Sequence, residues 1–127
     1  MKLEDTGERA LLEMAKNICE NGPPVKVGVG DDAAVYETRD ELFVVSTDML
    51  VEDVHYTRDL GPEFLGRKAV VVNLSDLAAM GSRPLGLVFS LGAPSSEEVD
   101  FVSNLLKSLN QTARSYESYV VGGDMNE

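Results

Sequence analysis

The stretch from residue 61 to residue 81, GPEFLGRKAVVVNLSDLAAMG, constrains the fold of this chain more than any other. Pro62 suits the first helical position and Gly81 suits the end of a helix, whereas the β-branched run 70–72 locally favours a strand. The length decides for a helix, because about twenty residues without a turn signal are too long for one strand. Nearly every residue after Lys68 is apolar, so we expect this helix to be buried on most sides.

Two further helices and four strands are predicted around this segment. The first helix is capped at Asp5 or Thr6 and ended by NGPP, and the last opens on a capping box from Ser95 to Glu98. The predicted strands are 33–37 and 42–47, which form a hairpin, and 85–91 and 118–121. This order indicates a single α/β domain over residues 1–127, in which helices pack on one face of a mixed β-sheet.

The charge of the chain excludes two classes of partner. It carries 22 acidic and 11 basic residues, for a formal net charge of -11 and a pI near 4.4. Nucleic-acid backbones and anionic membrane surfaces both require a basic surface, so we expect neither as a partner. The chain has one cysteine and shows neither a signal peptide nor an apolar run long enough to span a bilayer. We therefore expect a cytoplasmic protein.

Five aspartates occupy positions where a carboxylate is costly. Asp31 and Asp32, within GVGDDAAV, open a predicted strand and Asp48 closes one, while Asp76 lies in the apolar helix and Asp124 follows a strand and two glycines. Carboxylates that are brought together repel each other unless a cation joins them. Strand ends gather distant parts of a chain, so the pattern indicates a cation site at one edge of the sheet.

Magnesium is the cation that this pattern favours. It prefers hard oxygen ligands and is usually held by one or two carboxylates together with substrate phosphates. Thr47 can add an oxygen beside Asp48, and the glycines of GGD allow backbone N–H groups to approach a phosphate. The Walker pattern is absent from the sequence, so a nucleotide would be held in another way.

Each position also has a purely structural interpretation. Asp31 with Asp32 could form a turn or a cap, and Asp48 could cap the loop that follows it. Asp76 could be satisfied in a hydrogen-bonded pair with Asn73. Gly-Gly-Asp is a common turn, and a lone histidine is more often a surface residue than a functional one. Spacing alone leaves these alternatives open.

Four segments together resemble the thiamine-monophosphate kinase family, within the aminoimidazole ribonucleotide synthetase superfamily. They are GVGDDAAV, VSTDMLVEDVHY, GRKAVVVNLSDLAAMGSRP and VVGGD, and the resemblance runs from about Glu8 to Asp124. It implies transfer of the γ-phosphoryl group of ATP to thiamine monophosphate, which gives thiamine diphosphate, with Mg²⁺ ions bridging the phosphates. The implied metal ligands are Asp32, Thr47, Asp48, Asp76 and Asp124; Gly123 and Asp124 are implied at the nucleotide phosphates, and His55 at thiamine monophosphate.

The resemblance also implies a homodimer and a second, C-terminal α/β domain. The apolar run 42–45, LFVV, favours a strand that is covered on both faces, which agrees with two N-terminal sheets packing together. This chain ends at Glu127, so we expect the 127 residues alone to lack full kinase activity. Met125 replaces the usual Thr after GGD, which removes a hydroxyl. The alternatives are another ATP-dependent enzyme of the superfamily and a metal-dependent dimerisation module without catalysis.

Overall fold

The structure, a computed structural model, describes Leu3 and residues 6–126. In chain order these residues form α1 (Glu8–Ile18), β1 (Val25–Val27), β2 (Ala34–Thr38), β3 (Glu41–Val45), a short 3-10 helix (Arg58–Leu60), α2 (Gly61–Ala79), β4 (Leu87–Gly92), α3 (Val99–Ser115) and β5 (Val120–Asn126). No helix among these residues is both long and apolar enough to cross a membrane.

The strands divide between two sheets. One is the antiparallel sheet β1-β2-β3, and the other is the parallel pair β4-β5. The α/β class and the β2-β3 hairpin are confirmed, with a two-residue turn at which Arg39 has a φ of 55°. Antiparallel and parallel pairing are both present, but in separate sheets instead of one. β1 was not predicted, because three residues after two prolines are too short to show a period.

The predicted helix at 61–81 is α2, and it forms the core with α3. The core consists of Leu65, Val70, Leu74, Leu105 and Leu109. Side chains of β4 and β5 pack against it, so the two helices cover one face of the parallel pair. Val70 is only 2% exposed, and burial of this kind outweighs the local strand preference of the valines. Gly81, with a φ of 68°, lies just beyond the end of the helix.

Several predicted ends of elements are wrong. No side-chain cap is present at α3, whose N-cap is Glu98, so the capping box from Ser95 does not form. The N-cap of α1 is Gly7 instead of Thr6, and Asp5 lies outside the described residues. Strand β5 continues to Asn126, well past the predicted end. These ends follow from tertiary pairing, which local signals do not report.

The contact between α2 and α3 requires a glycine. A Cβ built at Gly66 would lie 2.5 Å from the carbonyl oxygen of Leu105 and 2.9 Å from the backbone nitrogen of Leu109. We expect Gly66→Ala to lower the free energy of unfolding by about 2 kcal/mol, because backbone must move to admit the methyl group. Chemical denaturation measures this loss. Gly22→Ala is the control, since nothing lies within 4 Å of its Cβ position, and an equal loss in both variants would contradict the packing explanation.

Candidate functional site

Three parts of the chain meet where β3 ends. Ser46, the residue after β3, donates its Oγ hydrogen to Oδ2 of Asp76 at 2.9 Å. Oγ of Ser46 also lies 3.3 Å from the backbone carbonyl oxygen of Asp32. Asp76 is half-buried on α2, so this hydrogen bond gives its carboxylate a partner in a place where an unpaired one would be costly. Ser46 therefore joins Asp32 to Asp76.

One helical turn earlier on α2, Asn73 holds the next residues of the same segment. Its Oδ1 accepts the N–H of Asp48 at 2.8 Å, and its Nδ2 donates to the carbonyl oxygen of Asp48 at 3.3 Å. Nδ2 also donates to the carbonyl oxygen of Ala69 at 2.9 Å, within the helix. Residues three apart share a helix face, so Asn73 and Asp76 together bind the segment from Ser46 to Asp48, which includes Thr47.

The carboxylates of this edge are partly engaged in the local backbone. Oδ1 of Asp48 accepts the N–H of Met49 at 2.9 Å, and Oδ1 of Asp31 accepts the N–H of Asp32 at 2.9 Å. The structural interpretation of Asp31 and Asp48 as caps is thus correct as far as one oxygen of each is concerned. The side chains of Asp32 and Asp48 are nevertheless exposed at the surface, where their oxygens can reach a ligand.

A groove of about 360 Å³ adjoins the two aspartates at 31 and 32. Its far wall is α1, which contributes Arg9 and Lys16, and its near wall is formed by Gly30, Asp31 and Asp32. Lys16 packs directly over Gly30, whose φ of 117° is accessible mainly to glycine. The α1 wall also carries Glu13, which pairs with Lys16 at 3.3 Å, so the groove holds both cationic and anionic side chains.

Gly123 and Asp124 lie inside β5 instead of after it, so their predicted place beyond the strand is wrong. Asp124 pairs with Ser90 of β4, and its Oδ2 accepts a hydrogen bond from Nδ2 of Asn126 at 2.6 Å. A Cβ at Gly123 would lie 2.2 Å from the carbonyl oxygen of Phe89, so strand pairing itself demands glycine here. Within the described part of the chain, no hydrogen bond or ion pair links Asp124 to the aspartates beside α2.

His55 lies in a compact loop between β3 and α2. Nδ1 of the His55 ring accepts the backbone N–H of Val51 at 2.9 Å. The backbone N–H of His55 donates to the carbonyl oxygen of Val51 at 2.8 Å. The ammonium of Lys68 on α2 donates to the carbonyl oxygen of His55. Since Nδ1 is an acceptor, the neutral ring carries its hydrogen on Nε2. The exposed imidazole can therefore donate a hydrogen bond outward.

A cluster that sequence reasoning missed borders the same loop. Nη2 of Arg58 lies 2.5 Å from Oε1 of Glu97, and Nη1 lies 3.9 Å from Oε2 of Glu52. The guanidinium also lies 4.9 Å from the centroid of the Phe101 ring. These groups line a small cavity of about 50 Å³. No local pattern could indicate the pair of Arg58 and Glu97, because its members are 39 positions apart.

Three residues that line this cavity, Tyr56, Arg58 and Glu97, have shifted pKa values. The hydrogen bond from Arg58 and a second one from the N–H of Glu98 lower the pKa of Glu97. The pKa of Arg58 is raised by the same hydrogen bond and by the negative charge of Glu97. Burial, followed by the charge of Glu52, raises the pKa of Tyr56. All three shifts favour an ionised Arg58–Glu97 pair beside a neutral phenol.

The oxygen donors beside α2 fit magnesium in kind but do not form a complete cage. Aspartate, threonine and backbone oxygens are the hard ligands that Mg²⁺ prefers. Among the described residues, no three His, Cys, Asp or Glu side chains are grouped so as to hold a metal ion by themselves. The donors available at this edge, Asp32, Thr47, Asp48 and Asp76, thus suit an ion that is shared with ligand phosphates.

Comparison with known proteins places these features in a family. The family model "AIR synthase related protein, N-terminal domain" matches residues 30–127. The thiamine-monophosphate kinase of Corynebacterium glutamicum is 41% identical over 99 residues, which are 76% of this chain and 30% of that protein. The thiamine-monophosphate kinase of Aquifex aeolicus is 35% identical over all 127 residues, and the alignment covers 40% of its length.

Two solved structures share the fold closely. One, described as "AaThiL complexed with AMPPCP and TMP", has a TM-score of 0.91 at 35% identity. The alignment covers 99% of this chain and 39% of that one. The other is tt0281 from Thermus thermophilus, with a TM-score of 0.89 at 30% identity. The alignment covers 98% of this chain and 41% of that one. The chain thus spans about two fifths of each of these structures.

The lowered pKa of Glu97 makes the stability of the pair dependent on pH. A carboxylate with a depressed pKa stabilises the fold above its unfolded pKa, ordinarily 4.5, and this contribution is lost as the pH falls through the folded pKa. We expect the wild type to exceed Glu97→Gln in stability at pH 7, and the difference to disappear as the pH falls through the lowered folded pKa of Glu97. Urea denaturation of both proteins across this range measures it, and a difference independent of pH would contradict the assignment.

Proposed function

Because the chain belongs to the AIR synthase related protein N-terminal domain family, we propose that it is the ATP- and Mg²⁺-binding part of a thiamine-monophosphate kinase. The observation that carries the proposal is the meeting of Asp32, Asp48 and Asp76 through Ser46 and Asn73. The named kinases among its relatives support the same activity, as does the likeness to a structure complexed with AMPPCP and TMP. ATP as substrate also favours a cytoplasmic location.

In the proposed reaction, a phosphate oxygen of thiamine monophosphate attacks the γ-phosphorus of ATP. A bond forms between that oxygen and the γ-phosphorus, the bond from the γ-phosphorus to the bridging oxygen of ADP breaks, and thiamine diphosphate and ADP leave. The phosphates of both substrates are already ionised, so no general base is required. The protein contributes position and charge.

Magnesium, when bound, neutralises phosphate charge and polarises the transferred group. We assign Asp32, Thr47, Asp48, Asp76 and Asp124 as the residues that hold it. Ser46 and Asn73 fix four of these five by hydrogen bonds or by the backbone between them. Asp124 is carried on a different sheet, and in our proposal it meets the others only through the nucleotide phosphates, together with Gly123.

His55 is assigned to thiamine monophosphate. The Val51 N–H occupies Nδ1 of its ring, which leaves Nε2–H as the outward donor. A neutral N–H donor suits a phosphate oxygen and adds no cation that would compete with magnesium. The loop that carries His55 begins directly after the Asp48 segment and both contact α2, so both substrates would lie along this helix.

The metal and the nucleotide should bind cooperatively. We expect Mg²⁺ and ATP together to raise the melting temperature by more than the sum of the two shifts that each produces alone. A ligand at a hundredfold excess over its Kd adds about 2.7 kcal/mol of stability. Asp48→Asn should abolish the extra shift and the turnover while keeping the fold, because it removes charge only from the site. Asp40→Asn in the hairpin turn is the matched control. Thermal melts and phosphoryl-transfer assays of the gene product that contains this chain measure both effects.

Two outcomes would count against the proposal. Near-normal turnover of Asp48→Asn at saturating Mg²⁺ would remove Asp48 from the metal site. Phosphoryl transfer to a different acceptor, with none to thiamine monophosphate, would assign the chain to another enzyme of the superfamily. A non-catalytic dimerisation module would show metal-dependent association and no transfer at all.

We also propose that two copies of this chain associate through the β1-β2-β3 sheet. The chain exposes 9473 Å², whereas a compact monomer of 13.8 kDa exposes about 6,600 Å². Large apolar side chains account for part of the excess, among them Phe43 and Val45 on β3, which are 39% and 55% exposed. A second copy is a suitable cover, because a twofold interface uses the same patch on both partners.

The two central valines of β3 separate association from folding. Val45 is exposed, whereas its neighbour Val44 is half-buried and pairs with the buried Val35. We expect Val45→Lys to weaken the dimer at unchanged monomer stability, and Val44→Lys to destabilise the fold, because alternate residues face opposite sides of the sheet. Sedimentation equilibrium and thermal melts distinguish the two effects. A monomeric mass for the wild type at tens of micromolar would refute the dimer.

A further inference from the structure

We propose that Arg58 is a positioning residue, which holds the loop from Val51 to Thr57 against α3 by its ion pair with Glu97 and thereby fixes His55. The proposal rests on the proposed function in that it assigns His55 to the thiamine monophosphate. Arg58 itself is three residues from His55 and touches no part of the carboxylate edge beside α2. Its role is to keep the loop that carries His55 in one place.

The loop is well bonded internally. The N–H of Asp53 donates to the carbonyl oxygen of Tyr56 at 2.8 Å, and the carbonyl oxygen of Val51 accepts the N–H groups of Val54 and His55 at 3.2 and 2.8 Å. Asp53 adopts a left-handed conformation with a φ of 62°, which a residue holds only when its surroundings fix it. These bonds give the loop a shape, but all of them lie within it and none attaches it to the rest of the protein.

Tyr56 packs against the core and gives the loop an apolar attachment, to which two cations add polar ones. Lys68 of α2 binds the carbonyl oxygen of His55, while Arg58 connects the end of the loop to Glu97, just before α3. Lys68 is a single point of contact on a flexible stem. Arg58 adds a second polar contact, which joins the end of the loop to the residues that precede α3.

The Arg58–Glu97 pair differs from an ordinary surface ion pair. The Arg58 side chain is 50% exposed, but that of Glu97 is only 7% exposed. Oε1 of Glu97 accepts both the guanidinium and the N–H of Glu98, the latter at 2.9 Å. The guanidinium is further held over the ring of Phe101, which packs against the core. Surface pairs lose their value to solvent and to side-chain entropy, whereas a shielded acceptor and a stacked guanidinium retain it.

The two halves of the site are therefore held by different means. The segments that carry Asp32 and Asp48 are held by Ser46 and Asn73, whereas the His55 loop is held by Lys68 and by the Arg58–Glu97 pair. Loss of Arg58 should then weaken the binding of thiamine monophosphate and leave the binding of ATP unchanged. A residue with a merely structural role would not separate the two substrates.

The test compares Arg58→Gln, Glu97→Gln and the charge-conserving Arg58→Lys with a control. Lys26→Gln is the matched control, because it removes another ion pair, Lys26–Glu37 at 3.0 Å, whose side chains are half exposed. Amide hydrogen exchange at Asp53, Val54 and His55 reports the attachment of the loop. Steady-state kinetics of the gene product that contains this chain reports KM for each substrate.

We expect exchange in the loop to accelerate by about tenfold in Arg58→Gln and Glu97→Gln, and KM for thiamine monophosphate to rise by about the same factor. KM for ATP should change less than about twofold, Arg58→Lys should recover most of the loss, and Lys26→Gln should match the wild type in both measurements. Glu97→Gln also covers the case in which Arg58→Gln fails to fold, because it leaves the contact with Phe101 in place.

Unchanged loop exchange in a folded Arg58→Gln or Glu97→Gln variant overturns the proposal. Accelerated exchange with an equal rise of both KM values also overturns it, because the effect would then be general. Absence of phosphoryl transfer in the wild type would contradict the proposed function instead, and the exchange measurement would still decide whether Arg58 attaches the loop.

Discussion

The hydrogen bonds from α2 to the segment after β3 are the interaction on which this arrangement depends. The strands form two separate sheets, and the helices cover only the parallel pair. Asp76 and Asn73, two of the three polar positions on a mainly apolar stretch of helix, bind Ser46 and the backbone of Asp48. Without them the hairpin would lose this polar attachment to the helical core. The same bonds that join the two parts of the fold thus also link the backbones of Asp32 and Asp48 to the helix that carries Asp76.

This double use explains why costly residues occupy a buried helix. A half-buried carboxylate destabilises a helix unless it is paired, and Ser46 provides the partner for Asp76. Asp32 and Asp48 are left with exposed oxygens and little local compensation in a chain of formal net charge -11. Such a surface is destabilising when no cation is near, because like charges repel. In our proposal, a divalent cation and phosphates relieve this repulsion.

Sequence reasoning succeeded where local signals and long-range geometry agree. The length of the segment at 61–81 predicted α2 despite the valine run, and the paired strands of the hairpin were predicted from their β-rich runs and the turn between them. It failed where pairing partners decide the outcome. Strand β5 extends through Gly123 because β4 runs beside it, and no period in the sequence encodes that neighbour. Arg58 and Glu97 were missed for the same reason, since only the packing of the loop against α3 brings them together.

The sequence does not distinguish two reasons for a glycine at Gly123, a backbone that approaches a phosphate and close strand pairing. A glycine before an aspartate is compatible with a phosphate cradle, but here the carbonyl oxygen of Phe89 already excludes a Cβ. The neighbouring Gly122 is different, because its nearest atom, Cγ1 of Val88, lies 4.0 Å from the Cβ position. Close strand pairing thus accounts for Gly123 alone. Gly122 is therefore the glycine of this motif whose missing side chain strand pairing does not explain, and an open backbone beside Gly123 is consistent with the phosphate approach that we propose.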